Sequence, residues 1–390
     1  MKDIDSTKLF VNKILKNYSL CDFCLARFIS KRLDLKPSNN LGKKFNKNRK
    51  KPLSTKCFVC KNIFEKLDDM VDHMIENSTS YQFSSFLIGS VLKPSITDND
   101  DVIKSRFKIK GVMNIKSQIN HELSKKFSRK TKSKMNILEP DLTIKTNFKD
   151  DSCMIYSRAL FVYGRYTKTK RNIQQKRKPC EHCTGKGCIS CNYHGLSNFN
   201  SVEGQIAKFL IKKFNSKQIK INWIGGEDKL SLISGNGRPF FAKIIDPHIK
   251  KIRITKQNNL DGIELHDLRQ IQNQPKDSVP FRSKVIISVE SEDPINNKLL
   301  KKFSSSKNIP LEIINNNQKI TKKTIYNIKY KKLNSNSLEI SMLVDSGVPI
   351  KSFIERSNVK PNLSELLENR CNCVQFDFKQ IDVMSNTYKN

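Results

Sequence analysis

The chain has 390 residues, enough for two or three domains with hydrophobic cores of their own. It carries 72 Lys and Arg against 37 Asp and Glu, and this formal charge of +35 predicts a polyanionic partner, namely nucleic acid. No basic segment has an apolar side suited to a lipid surface, and no run of about 18 apolar residues is present, so we expect no membrane contact. The N-terminus lacks the apolar core of a signal peptide, which favours a cytoplasmic protein.

Two cysteine pairs mark the first 75 residues. Cys21 and Cys24 form one C-x2-C pair, Cys57 and Cys60 form another, and 32 residues separate the two pairs. Each pair offers two thiolates to one ion, so the two pairs together predict a tetrahedral structural zinc site. The alternative, two redox pairs, receives no support from the flanking sequence. The basic segment 36–51 between the pairs is expected to be a solvated loop.

Residues 78–165 predict a mixed α/β domain. A helix is expected at 114–134, where apolar residues recur every four positions: Ile115, Ile119, Leu123 and Phe127. Lys and Arg occupy its other faces, which fits either an RNA-facing helix or an ordinary solvated surface. Strands are expected at 81–92, 107–113, 140–144 and 159–163.

A second set of four cysteines follows: Cys180, Cys183, Cys188 and Cys191. Their C-x2-C-x4-C-x2-C spacing, with glycines that permit the turn, predicts a second zinc site. His182 and His194 lie nearby and are expected to be surface residues. The three remaining cysteines are interpreted as packing residues: Cys153, Cys371 and Cys373.

The second half of the chain predicts a β-rich α/β domain. An amphipathic helix capped by Ser201 is expected at 201–215. A strand at 219–224 leads into an acidic pair, Glu227 and Asp228, and a glycine-rich turn is expected at 235–239. Further strands are expected at 240–245, 252–255, 284–289, 311–314, 324–331, 338–343 and 374–383, with a helix from Lys351.

Residues 225–240, GGEDKLSLISGNGRPF, resemble the active-site segment of the archaeal "PUS ten" family of tRNA pseudouridine synthases, G-R-E-D-x-D-x-R-x-L-G-x-G-R-P-F. Two more segments are similar to the family: GRYTK at 164–168 and CEHCTGKGCISC at 180–191. The segment 344–353, VDSGVPIKSF, corresponds to the family's late segment T-E-A-G-T-Y-I-K-E-F. The chain is identified as a divergent archaeal member of this family.

The resemblance implies an α/β chain of the α+β type with three parts. A zinc-binding segment (1–75) precedes a THUMP-like RNA-binding domain (76–167), and a pseudouridine synthase domain (168–390) follows, with a mixed, largely antiparallel sheet and the four-cysteine insert at 180–191. The implied activity is isomerisation of uridines 54 and 55 in the T arm of tRNA. The implied partner is tRNA, with one or two structural zinc ions, no organic cofactor and no small-molecule cosubstrate.

The resemblance also implies the catalytic residues. The family uses one ionised aspartate as a nucleophile on a uridine that has left the RNA stack, and Asp228 matches it. Lys351 matches the basic residue of the late segment and is expected to pair with Asp228 or with substrate phosphate. Arg238 is expected to position the active-site loop or the RNA backbone.

Several family residues differ here: Gly226, Leu230 and Leu232 replace polar residues of the loop, and Pro349 replaces a tyrosine. A second family tyrosine is missing near 282–288, and Tyr326 or Tyr330 is a candidate to stack on the base. These changes leave open a tRNA-binding protein without catalysis. A third alternative is another THUMP-bearing modifier, a thiolase or a methyltransferase, but no G-x-x-x-x-G-K-[ST] nucleotide loop is present.

Overall fold

The computed structural model describes residues 4–46, 56–251, 257–314, 318–355 and 358–384. The chain divides into two compact units between Arg158 and Ala159. Each unit has a hydrophobic core of its own. No helix in the described ranges combines the length and apolar character needed to cross a membrane. The division into three parts at 75 and 167 stays a prediction.

The first unit combines six helices with a small mixed sheet over its described residues. The sheet has the strand order β2-β1-β3-β4, in which β1 runs parallel to β2 and β3, while β4 is antiparallel to β3. A short 3-10 helix lies at Ile63–Lys66. The elements are α1 (Ile4–Asn17), α2 (Asp22–Leu33), α3 (Asn39–Asn46), α4 (Leu67–Ser78), β1 (Ser85–Val91), α5 (Pro94–Arg106), α6 (Ile115–Thr131), β2 (Lys134–Met135), β3 (Leu142–Asn147) and β4 (Ser152–Ser157).

A buried ion pair joins the cysteine-bearing segment of this unit to its later helices. Arg27 of α2 is fully buried, and its guanidinium lies 2.5 Å from a carboxylate oxygen of Asp100 on α5. The same guanidinium donates to Gln118 of α6 at 2.9 Å. Because a buried charge is tolerated only when it is paired and hydrogen-bonded, these contacts fix α2 against α5 and α6.

The helix expected at 114–134 is present as α6, and the side chain of Asn114 caps it by accepting from the Ser117 amide. The strand expected at 107–113 is wrong. Lys108 and Gly111 have φ angles of 50° and 68°, which a β-strand does not accommodate. The expected loop at 36–51 is also wrong in part, because α3 occupies Asn39–Asn46; positions 47–51 lie outside the described residues.

The second unit is built on one large sheet with the order β14-β11-β12-β13-β10-β15-β7-β5-β9-β8, and β6 pairs with β7. All its strand pairs between named strands are antiparallel except β15 with β7, so the predicted mixed, largely antiparallel sheet is confirmed. The elements are β5 (Leu160–Lys168), α7 (Val202–Phe214), β6 (Gln218–Trp223), β7 (Ile233–Ile245), β8 (Gln257–Leu260), β9 (Ile263–Ile271), β10 (Phe281–Ser291), α8 (Asn297–Ser305), β11 (Ile309–Ile314), β12 (Ile320–Lys332), β13 (Ser337–Asp345), α9 (Ile350–Glu355), β14 (Val359–Lys360), α10 (Leu363–Leu367) and β15 (Cys371–Val383).

Helix α7 begins as predicted, since the Ser201 hydroxyl accepts from the Gly204 amide at 3.0 Å. The strand expected at 252–255 lies outside the described residues. The turn expected at 235–239 is wrong, because these residues belong to β7. A Cβ on Gly235 would lie 2.1 Å from the Lys379 carbonyl oxygen, and one on Gly237 would lie 2.7 Å from that of Tyr166. The two glycines therefore allow close approach of neighbouring strands.

Candidate active site and cysteine clusters

The loop between β6 and β7, residues 224–232, carries Asp228 and meets the first turn of α9. The Lys351 ammonium lies 2.8 Å from Oδ2 of Asp228, although the two residues are 123 positions apart in the sequence. The side chain of Asp228 is 26% exposed and that of Lys351 is 46% exposed. The sheet thus brings together two predicted site residues in a place that a ligand can reach.

Lys351 helps to lower the pKa of Asp228. Partial burial raises the pKa of Asp228, but the hydrogen bond from Lys351 and the backbone N–H of Leu230 outweigh that effect, so the pKa lies below its ordinary 3.8. The same hydrogen bond raises the pKa of Lys351. The carboxylate is therefore charged at neutral pH and available as a nucleophile.

The neighbouring acid, Glu227, lies in the opposite environment. Its side chain is fully buried and receives a hydrogen bond of 2.7 Å from the Tyr166 hydroxyl. Arg238 Nε lies 3.1 Å from one carboxylate oxygen, and Lys168 Nζ lies 3.2 Å from the other. Tyr166 and Lys168 reach Glu227 from one side of β5 because side chains two apart on a strand share a face.

Arg238 is fully buried on β7 and contacts both ends of the segment 224–227. Its Nη1 donates to the Ile224 carbonyl at 3.0 Å while Nε contacts Glu227. Its guanidinium carbon lies 4.4 Å from the centre of the Phe378 ring. These contacts fit the first of its two expected roles, positioning of the loop, since the side chain has no exposure to RNA.

Lys168 also binds the backbone of the loop. Its ammonium donates to the carbonyl oxygens of Asp228 at 3.1 Å and Ile173 at 3.0 Å. Burial lowers the pKa of Lys168, while Glu227 opposes that shift. The sequence offered a signal for this contact, because GRYTK places Tyr166 and Lys168 at the spacing of one strand face. No sequence signal pointed to Gln175, which donates to the Gly225 carbonyl at 3.2 Å.

The two tyrosines expected as candidates to stack on the base, Tyr326 and Tyr330, have different surroundings. The Tyr326 hydroxyl donates to Asp345 at 2.9 Å, and the Arg282 guanidinium carbon lies 3.9 Å from the centre of its ring. Tyr330 packs against the core of the second unit. Phe281 on β10, which sequence reasoning missed, packs against the loop, since a Cβ on Gly225 would lie 2.5 Å from its ring.

The first cysteine cluster brings Cys21, Cys24, Cys57 and Cys60 together, with all four sulfur atoms within 4.8 Å of one another. Cys21 and Cys24 lie at the start of α2, and Cys57 and Cys60 lie in the turn before the 3-10 helix. Four thiolates about 2.3 Å from one zinc ion would be about 3.8 Å apart, so this cluster can hold such an ion. The predicted ligand set is thus assembled in one place.

The second cluster, Cys180, Cys183, Cys188 and Cys191, meets the same 4.8 Å limit. Backbone amides donate to its sulfur atoms: Gly187 to Cys183 at 3.2 Å and Gly195 to Cys191 at 3.3 Å. Such amide contacts stabilise thiolates that bind a metal. The two histidines stay outside the ligand set, and His194 instead accepts from the Leu196 amide at 3.1 Å.

Comparison with known proteins identifies the family. The family model "Pus10, C-terminal" matches residues 161–382, and "Pus10 THUMP domain, archaeal" matches residues 70–147. A protein of Nitrosopumilus maritimus named "tRNA pseudouridine synthase Pus10" is 42% identical over 95% of this chain and 97% of its own length. A protein of the same name from Cenarchaeum symbiosum is 31% identical over 94% of this chain and 91% of its own length.

Among solved structures, a chain of "Crystal Structure of a Cbf5-Nop10-Gar1 Complex" aligns with 56% of this chain and 58% of its own length, at 10% identity. Its TM-score of 0.30 is too low to bear on the fold. The sequence relatives cover nearly the whole chain, and the C-terminal family model covers the large sheet together with the Asp228 loop and Lys351. The chain therefore belongs to the Pus10 family.

Proposed function

We propose that this protein is a tRNA pseudouridine synthase that isomerises uridines 54 and 55 of the T arm with Asp228 as its nucleophile. One observation carries the proposal: in a member of the Pus10 family, a partly exposed, ionised aspartate on a strand-to-strand loop is paired with a lysine from a distant helix. The names of the relatives support tRNA as the substrate.

The reaction needs no oxidant, reductant or cosubstrate. The bond between ribose C1′ and uracil N1 breaks, the uracil turns, and a new bond joins C1′ to C5. N1 ends with a proton and C5 loses one, so substrate and product are isomers. Asp228 would attack C1′ as the carboxylate and displace the uracil at N1, and it would be released again when C5 bonds to C1′. The base would have to leave the RNA stack to bring its ribose within reach.

The neighbouring residues have separate roles in this proposal. Lys351 lowers the pKa of Asp228, and its side chain, 46% exposed, would be open to a phosphate of the bound RNA. Arg238 and Lys168 act through Glu227 and the loop backbone, so they are positioning residues that touch no substrate. Phe281, which is 8% exposed and belongs to the core of the second unit, packs against the loop at Gly225 and supports it.

We also propose that both cysteine clusters bind zinc. The first set would stabilise the N-terminal helices, and the second would stabilise the insert between β5 and α7. Four thiolates leave no open coordination position on zinc, so each ion would be structural and would take no part in the reaction.

The test incubates purified protein with an unmodified tRNA transcript, without cofactor, and maps pseudouridine. Wild type is expected to modify the T arm, and Asp228→Asn is expected to give no product, because a neutral amide does not act as the nucleophile. The matched control is Asp261→Asn, which removes a carboxylate from an exposed ion pair with Lys170. This control should retain wild-type activity.

Three outcomes would change the proposal. Product from Asp228→Asn at the wild-type rate would exclude Asp228 as the nucleophile. Product at other positions would retain the reaction and reject the T arm. Tight tRNA binding by wild type, with no product at several salt concentrations and temperatures, would favour the tRNA-binding protein without catalysis.

A further inference from the structure

An ion pair outside the Asp228–Lys351 contact touches the same loop. Arg171 follows β5 in the connector that leads to the second cysteine cluster, and Asp377 lies on β15. Two parallel hydrogen bonds of 2.8 and 2.9 Å join the guanidinium to the carboxylate. This two-point geometry fixes the orientation of both groups, which a single lysine contact would not do.

Both partners also bind the backbone of the loop. Arg171 Nη1 donates to the Leu230 carbonyl, and Asp377 Oδ1 accepts from the Leu232 amide at 2.8 Å. The Leu230 amide in turn donates to Oδ1 of Asp228 at 2.9 Å. One continuous set of hydrogen bonds thus runs from the ion pair to the carboxylate that would attack the substrate.

The contacts of this pair are concentrated on the loop. Its side chains are 30% and 17% exposed, and both bind loop backbone at residues 230 and 232. The strand contact survives without the pair, because the Phe378 amide donates to the Leu232 carbonyl at 2.9 Å. What the pair adds is restraint of residues 230–232, next to Asp228.

We propose that Arg171 and Asp377 are positioning residues that hold Asp228 in the orientation its reaction requires. The inference rests on the proposed function, since it assigns these two residues to the same site. It predicts an effect on turnover larger than the effect on RNA binding or on folding. It also predicts slower opening of the loop in wild type than in variants without the ion pair.

The experiment compares Arg171→Ala with Lys170→Ala, which removes the adjacent cation and its exposed contact of 2.6 Å with Asp261. Since small misplacements of reacting groups cost up to about 100-fold in rate, kcat is expected to fall about 10- to 100-fold in Arg171→Ala, with KM changed less than about threefold. Arg171→Lys keeps the charge but loses the two-point geometry, so its kcat should lie between that of wild type and that of Arg171→Ala.

Hydrogen exchange of the peptide covering 225–233 provides a readout that does not depend on catalysis. Exchange should be faster in Arg171→Ala than in Lys170→Ala, because the Leu230 carbonyl loses its donor and Asp377, which accepts from the Leu232 amide, loses its ion-pair partner. Asp377→Asn retains an acceptor for Leu232 without the negative charge, and it replaces Arg171→Ala in both assays if that variant does not fold.

The inference is overturned if Arg171→Ala matches Lys170→Ala in both kcat and exchange. A loss of kcat that comes with an equal loss of thermal stability, and no change in exchange below the unfolding temperature, would also reject positioning. If wild type makes no pseudouridine, the proposed function fails, and the exchange experiment alone then decides whether Arg171 restrains the loop.

Discussion

Glu227 and Asp228 are adjacent acids that differ in burial and in contacts. Glu227 is fully buried, and Tyr166, Lys168 and Arg238 occupy its oxygens, so no ligand reaches it. Asp228 is 26% exposed and forms an ion pair with Lys351. A nucleophile needs both charge and access, and of this pair only Asp228 combines them.

Lys351→Met is expected to move the acid limb of the pH–rate profile to higher pH. With Lys351 present, the pKa of Asp228 lies below 3.8, so activity is lost only as the pH falls through that low value. Without the lysine, partial burial has less opposition and raises the pKa, so activity is lost earlier on acidification. The measurement is kcat as a function of pH.

Lys322→Met provides the control for this profile, because Lys322 lies in an exposed pair with Glu312 at 3.8 Å. An unchanged acid limb in Lys351→Met would contradict the role of Lys351. The depressed pKa also stabilises the fold above the pKa of the unfolded state, and this gain is lost as the pH falls through the folded pKa. For so exposed a pair it amounts to only about 0.2–1 kcal/mol.

Glu227→Gln is expected to destabilise the second unit. The change leaves Lys168 and Arg238 as buried cations without a countercharge, and breaking a buried pair in this way costs about 3–5 kcal/mol. Glu312→Gln removes a 52% exposed partner and should change stability by less than about 0.5 kcal/mol. Urea unfolding measures both values, and equal midpoints for the two variants would disprove the expectation.

At the scale of elements, local patterns predicted α6, α7 and β6, because caps and periodicity act within a few residues. The expected pairing of Lys351 with Asp228 is present, while their catalytic roles stay predictions. The glycines of 235–239 indicated a turn, but they serve close strand packing, which depends on residues distant in the sequence, such as Lys379 for Gly235. The Arg171–Asp377 contact spans 206 positions and had no local signal.

The second cysteine cluster is connected to the Asp228 loop through the segment 169–179. The Cys180 amide donates to the Gly195 carbonyl at 2.8 Å, and within the segment Gln175 binds Gly225 while Arg171 binds the loop at Leu230. A metal in this cluster would therefore stabilise the connector that contacts the Asp228 loop. The fold of the insert and the order of the loop are expected to depend on the same ion.

Cys183→Ser is expected to lower the zinc content from two ions per chain to one, because three remaining thiolates hold the ion less tightly. The peptide covering 169–179 should then exchange hydrogen faster. Cys153→Ser is the control, since Cys153 lies outside both clusters and should leave two ions bound. Elemental analysis decides the point, and equal zinc in both variants would reject the second site.

At the scale of the whole molecule, the basic residues that would attract RNA differ from the residues that would carry out the reaction. The formal charge of +35 attracts a polyanion over the surface, whereas the proposed reaction depends on one carboxylate and a few buried partners. Binding and catalysis should therefore respond to different changes. Ionic strength should change binding, and substitutions at the loop should change catalysis.

Binding to tRNA is expected to weaken steeply with salt, since each phosphate neutralised by Lys or Arg releases counterions. With six or more such contacts, affinity should fall about 10³-fold or more between roughly 50 and 200 mM salt. Asp228→Asn should leave the slope of log Kd against log salt within about one unit of wild type, because it removes no cation. Fluorescence anisotropy with labelled tRNA measures both slopes. A flat wild-type profile would show that the basic surface does not bind the RNA backbone, even if the Asp228 loop proved catalytic.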